Sequence, residues 1–149
     1  MTNEKIKLEN YLKLLDEREK TCIILSGRDI IYESDSLGVK PLRVLRKSNF
    51  IKQQDDHLIL VDKVIGKGAL MLAELLGVNE IYTPLASEKA LRYSEKSGIP
   101  LFCETLVPFI ENRDRSGMCP IEDSVKDTDD PIQGELNIDA AIEILMQRS

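Results

Sequence analysis

The chain has 149 residues, 42% of them hydrophobic and 31% charged, a profile that fits one soluble globular domain able to bury roughly two thirds of its unfolded surface. Its formal net charge of -6 argues against broad attraction to nucleic acid or to an anionic membrane. The opening MTNEKIKLENYLK has no apolar signal region and the longest apolar runs fall far below the ~20 residues that span a bilayer, so a cytoplasmic location is expected.

Taken in chain order, Asn3 to Arg18 set Leu8, Tyr11, Leu12 and Leu15 at i, i+3, i+4 and i+7, one apolar stripe on a charged helix. Thr21 to Leu25 and Asp29 to Glu33 are apolar or β-branched runs around Ser26, Gly27 and Arg28, which predicts an antiparallel hairpin with glycine in its turn. LGVKPLRVLRKS predicts a short helix ending by Ser48, with Pro41 in the first turn, where its missing N–H takes nothing away. His57 to Val61 is a nearly continuous apolar run, as a strand buried on both faces requires, and Asp62 follows at its carboxyl end. Lys67 to Leu76 has helical spacing and stops at Gly77, a left-handed cap.

The unit then repeats, with a strand over Glu80 to Thr83, a cap at Ser87, a helix over Glu88 to Lys96, a cap at Gly98 and a strand over Leu101 to Glu104. Pro120 to Val125 reads as a helical turn, and residues 127–134, opening with DTDDP, as a polar link. Ile138, Ala141, Ile142 and Leu145 then make a last amphipathic helix capped by Asn137. Alternating strands and helices with short links imply parallel pairing and right-handed crossovers. A hairpin feeding three parallel strands, with helices on both faces, predicts an α/β fold. We expect a three-layer α/β/α sandwich on a mixed five-stranded sheet, in a single domain spanning 1–149. The amphipathic first and last helices suit either the sheet or a second copy, which leaves a homo-oligomer open.

The stretch NRDRSGMCPIED, Asn112 to Asp123, concentrates the unusual chemistry. With Pro120 as first helical residue, Cys119 falls near the N-cap, where the helix dipole favours thiolate and Arg113 and Arg115 reinforce it. Asp114, Glu122 and Asp123 pull the other way, and no histidine is near in sequence to act as base. Cys119 is therefore a candidate nucleophile or redox centre, with a ligand contact and a structural thiol as alternatives. Asn112 and Arg113, with Gly117, Met118 and Glu122, would wall a polar pocket in which arginine offers a planar fork to carboxylate or phosphate; a local salt bridge is the plainer role. Asp127, Asp129 and Asp130 lack the glycine and bidentate glutamate of a calcium loop and read as solvated linker. Cys22 and Cys103 sit in apolar runs as small hydrophobes, and three scattered cysteines do not form a disulfide framework.

The element order is similar to the cytidine-deaminase-like fold, and GVNEIYTPLASEKALRYSEKSGIPL looks like the strand, helix and strand that follow that fold's second zinc-binding helix. GVKPL, DKVIGKGA, LVPFIENRD and GMCPIED together resemble the prokaryotic domain-of-unknown-function family 1893, over roughly Cys22 to Pro131. True deaminases place a His or Cys and a catalytic Glu at one helix start and two cysteines at the next. Here those places read Gly38, Val39, Lys40, Pro41 and Val64, Ile65, Gly66, Lys67. No zinc, other metal or cofactor is therefore expected.

In the fold so implied the two helix starts converge at the carboxyl ends of the parallel strands, where open α/β sheets bind ligands. Free backbone N–H groups there, with Lys40, Lys63 and Lys67, suit a small anionic or nucleotide-related ligand, solvated lysines being the alternative. VDKVIGKGA is not a phosphate loop, since the pattern needs glycine at Val61 and a hydroxyl at Gly68. Gly66 and Gly68 instead permit close backbone approach, and Asp62 either orients Lys63 or Lys67 or caps the helix. Two function classes follow: a zinc-less deaminase-like ligand-binding protein, or, alternatively, an enzyme using Cys119 or a non-catalytic protein-interaction module.

Overall fold

Cys22–Ser26 and Leu58–Asp62 are buried at every position in the computed structural model, which describes residues 2–48 and 57–147. Strands of this kind need cover on both faces, and the chain supplies it. In order the elements are α1 (Asn3–Glu17), β1 (Cys22–Ser26), β2 (Asp29–Ser34), α2 (Lys40–Lys47), β3 (Leu58–Asp62), β4 (Val64–Ile65), α3 (Lys67–Leu75), β5 (Glu80–Ser87), α4 (Glu88–Ser97), β6 (Leu101–Val107), α5 (Pro120–Ser124) and α6 (Pro131–Gln147).

The fold is α/β with a mixed, open sheet. β1 pairs antiparallel with both β2 and β3, and β3, β5 and β6 are parallel. Alternation along the strands sorts the side chains into two cores. Ile23, Leu25, Ile59, Val61 and Tyr82 meet Leu8 and Leu15 of α1, and Tyr82 lies between Tyr11 at 4.5 Å and Phe102 at 5.0 Å. Cys22, Ile24, Leu58, Leu60 and Ile81 face the other way, onto Leu42 and Leu45 of α2, the apolar side of α3, and Ala90 and Tyr93 of α4.

The hairpin, the parallel strands and the glycine caps agree with the sequence reading; Gly27, Gly77 and Gly98 all have positive φ. Three boundaries differ. β5 and β6 run on to Ser87 and Val107 because each supplies the other's ladder, from Leu85↔Thr105 to Ser87↔Val107. A sixth strand, β4, resumes the pairing of β3 after a break at Lys63, facing Leu85 and Ala86. Pro84 falls in the gap of both ladders, so its missing N–H is not needed.

The third difference is the last helix. It begins at Pro131, not after Asn137, and the polar link is correspondingly shorter than 127–134. Asp130 is its cap: its Oδ1 accepts from Ile132 N at 3.0 Å and its carbonyl from Gly134 N at 2.8 Å. Asn137 lies inside, its amide donating to the Ser124 carbonyl at 2.9 Å and tying α6 to α5. Gly134 is tolerated there because α6 crosses α3 closely. A Cβ at Gly134 would lie 2.4 Å from Met71 Sδ, and one at Gly68 would lie 3.1 Å from side-chain atoms of Ile121 and Ile138. Both Met71 and Ile138 are fully buried, so neither has free space to retreat into.

Gly134→Val should therefore lower stability by about 1–3 kcal/mol through overpacking, read as a shift of the urea midpoint; an unchanged midpoint would show that α6 moves freely over α3.

Candidate functional site

The start of α3 is already occupied by an anion from within the chain. Glu122 of α5 is 2% exposed. Its Oε1 accepts from Lys67 N at 2.9 Å and from Ser87 Oγ at 3.0 Å, and its Oε2 accepts from Ile110 N at 2.9 Å. A carboxylate suits this place because the first N–H groups of a helix lack internal partners and carry the positive end of its dipole. Gly66 is glycine for the same reason, since a Cβ there would sit 3.1 Å from Glu122 Oε2. Ser87 does double duty, accepting from Ala90 N at 3.1 Å as cap of α4. The close approach foreseen at Gly66 and Gly68 is present, and it is Glu122, Ile121 and Ile138 that approach.

Asp62 is also buried, at the carboxyl end of β3. Among the described residues it forms no ion pair with Lys63 or Lys67, and it caps no helix. Its Oδ1 accepts from Val64 N at 3.3 Å across the β3–β4 break, and the Cys22 thiol, opposite it in the antiparallel ladder, hydrogen-bonds its carboxyl group. Burial pushes the Asp62 carboxyl up to about 7, only partly offset by the Val64 N–H, the Cys22 thiol and the Lys63 N–H. The same burial, with Asp62 beside it, pushes the Cys22 thiol well above its ordinary range.

The other predicted residues are not gathered here. Lys40 and Lys63 are exposed, the former opening α2 and the latter on the β3–β4 break. Asn112 closes its own loop: its Oδ1 accepts from Ser116 N at 2.9 Å and its N–H donates to Gly117 O at 2.9 Å. Arg113 points from that loop as an exposed residue, and Arg115 takes a left-handed φ of 58°. Hydrogen bonds from Ser116 hold the Asp114 carboxyl below its ordinary range. Gly117, Met118 and Cys119 are half-buried, Met118 bridging Glu111. Cys119 does precede α5, but its side chain caps nothing and its N–H donates to Ile110 O at 2.7 Å. Cys103 is half-buried against the core, and desolvation raises its thiol.

Where the backbone of Lys67 serves Glu122, its side chain turns the other way, into a cavity of about 540 Å³ along α4. Lys67 Nζ lies 3.0 Å from Asp129 Oδ1 and 6.0 Å from the centre of the Tyr93 ring. Lys96 pairs with the other oxygen, Asp129 Oδ2. The two lysines hold the Asp129 carboxyl below its ordinary range, Lys96 more strongly. Lys89, Arg92 and Lys126 complete the basic wall, and Glu95 is the second carboxylate. Lys126 pairs with Asp123 at 2.9 Å and Arg92 lies 3.8 Å from Glu88. Lys89, half-buried, has no carboxylate partner among the described residues. The sequence reading missed this wall, although Lys89, Arg92 and Lys96 stand at i, i+3 and i+7 on one helical stripe. A smaller recess of about 160 Å³ between α2 and α6 is lined by pairs already formed, Arg43 with Asp139 and Arg46 with Glu135.

Among the described residues, no three His, Cys, Asp or Glu side chains are grouped as a metal site requires, and no helix is long and apolar enough to cross a membrane.

These features define an α/β domain with an internally capped helix start and a basic cavity beside it. The chain belongs to the domain-of-unknown-function family DUF1893, whose model matches residues 10–139, a wider span than the sequence motifs covered. It is similar to the crystal structure of a DUF1893 family protein from Thermotoga maritima at 27% identity and a TM-score of 0.72, over 95% of this chain and 89% of that one. No curated protein matches.

Glu122→Gln leaves an amide N–H facing either Ile110 N or the pair formed by Lys67 N and Ser87 Oγ, so about 1–3 kcal/mol of stability should be lost; unaltered denaturant midpoints would contradict the three-donor geometry. Asp62 has the opposite sign. Its folded value of about 7 lies above its ordinary 3.8, so the folded state holds the proton more tightly, and stability falls as pH rises from about 4 to 7 and is flat above. The span is on the order of 4 kcal/mol. Asp62→Asn should flatten that limb in urea titrations at pH 4, 6 and 8, and an equal slope in both proteins would place the titration elsewhere.

Proposed function

We propose that this protein binds a small phosphorylated anion in the cavity formed by Lys67, Lys89, Arg92, Lys96 and Lys126. The observation that carries the reading is the concentration of charge: five cations against two carboxylates line one cavity in a chain whose net charge is -6. Lysines and arginines spaced by chance on an acidic protein are diluted by acids. Here Lys67 is buried against Asp129, and Lys89 is half-buried with no carboxylate partner among the described residues, which costs desolvation energy that an anionic ligand offsets.

Lys67, which opens α3 after β4, lies at one end of the cavity, and the rest of the lining runs along α4 and the link after α5. The cavity addresses phosphoryl groups rather than a nucleobase, because Tyr93, its aromatic residue, is buried and offers no free face for stacking. The reading also accommodates the zinc-less deaminase-like resemblance. At the helix starts where that resemblance would place metal ligands, Lys40 and Pro41 open α2, and Gly66 and Lys67 open α3 under the Glu122 carboxylate.

Calorimetric titration with inorganic pyrophosphate at low salt should show binding that weakens as sodium chloride rises, because exposed charges are screened. The pair Lys89→Met and Arg92→Met, both away from the core, should reduce affinity at least roughly tenfold, about 1.4 kcal/mol, with the melting temperature of the free protein little changed. Absence of binding by phosphate, pyrophosphate and nucleoside triphosphates alike would refute the reading.

A further inference from the structure

Asp129 sits in the proposed anion site as an anion itself. Each of its carboxylate oxygens takes one ammonium group, Oδ1 that of Lys67 and Oδ2 that of Lys96, as two oxygens of one phosphoryl group would. The partners differ in mobility. The Lys67 side chain is 7% exposed and held over Tyr93, whereas Asp129 is 49% exposed and lies in the short link between α5 and α6. That link is fixed by groups on either side of it. Thr128 N donates to Val125 O at 3.3 Å, Asp130 N donates to Thr128 Oγ1 at 3.2 Å, and Asp130 caps α6. Among the described residues the Asp129 carboxylate pairs with these two lysines, so rotation about its own bonds releases it with the backbone in place.

We infer that Asp129 is a tethered competitor for the phosphate locus, displaced from Lys67 and Lys96 only by a ligand carrying at least two phosphoryl groups. The inference rests on the binding reading above. Its logic is electrostatic. If Asp129 leaves without replacement, Lys67 remains buried and unpaired, so the outgoing carboxylate must be exchanged for another anion. A tethered group acts at an effective concentration in the millimolar range, which a free monocarboxylate at lower concentration does not overcome. A phosphoryl dianion brings more charge to the same two ammonium groups, and a second phosphoryl group reaches Lys89, Arg92 and Lys126, which Asp129 does not touch. Asp129 thereby turns a generally basic cavity into one selective for bisphosphates, pyrophosphate and their like over carboxylates and single phosphates.

The test compares the wild-type protein with Asp129→Asn and Asp129→Ser by calorimetry with inorganic pyrophosphate, orthophosphate and acetate, with melting curves for each protein. Both variants should bind pyrophosphate about tenfold or more tighter than wild type and should bind orthophosphate where wild type does not. Their melting temperatures, lowered without ligand, should rise with pyrophosphate by more than wild type's. Should wild type bind pyrophosphate and both variants bind it equally or more weakly, Asp129 is part of the site rather than its competitor, and the binding reading stands without it. Binding by the variants alone would show that pyrophosphate does not displace Asp129, and would overturn the inference. Binding by none of the three overturns both readings.

Discussion

One carboxylate, Glu122, holds the arrangement together. Its three donors come from the start of α3, the cap of α4 and the segment after β6, so elements separated by as many as 55 positions in sequence meet on two oxygen atoms. The two backbone donors have no partner in their own elements. The Lys67 N–H is among the free amides of a helix start, and the Ile110 N–H lies past the end of the β6 ladder. A single buried carboxylate thus satisfies two buried donors and one half-buried one, and the helix dipole of α3 lowers the penalty of burying it. Gly66 and Gly68 follow from this: the first clears the carboxylate, and the second lets Ile121 and Ile138 close the joint from the other side.

Occupation of that helix start redirects Lys67. With its amide committed to Glu122, its side chain extends away over Tyr93 to Asp129, and the link between α5 and α6, through Lys126 and Asp129, becomes one wall of the basic cavity. Tyr93 completes the frame, its hydroxyl donating to Glu74 of α3. The fold therefore moves its positive potential sideways, from the strand ends, where an open α/β sheet offers it, onto the flank of α4. Asp62 remains behind at the strand end, buried with Cys22 rather than facing a ligand.

Elements whose signal is local were legible in the chain. The hairpin around Gly27, the caps at Ser87, Gly77 and Gly98, and the buried run of β3 each rest on residues within a few positions of one another. What was not legible depended on distant partners. β4 has two residues and exists because β5 continues past Pro84. Gly134 and Asn137 read locally as link and cap, and only the closeness of Met71 and the Ser124 carbonyl shows why α6 carries them. Within the stretch from Asn112 to Asp123 the three-donor role of Glu122 was not legible, because two of its donors, Lys67 and Ser87, lie far upstream. The stripe Lys89, Arg92, Lys96 was present in the sequence all along. Without Lys67 and Asp129 beside it, such a stripe has the form of any solvated helix face.

The contrast between an acidic chain and a basic cavity bears on what the proposed site admits. At physiological salt a charge is felt over roughly 8 Å, so a small anion inside the cavity interacts with its five cations and the carboxylates beside them, and is screened from more distant acids. A long polyanion has no such shelter. It would extend along a surface on which acids outnumber bases, and each additional charge would meet repulsion rather than attraction. Length itself then becomes a selector: the field rewards a compact ligand with its charge concentrated in one or two phosphoryl groups and penalises the same groups strung on a polymer. Asp129 sharpens the choice from within, because Lys67 and Lys96 are already paired with it until a denser charge arrives.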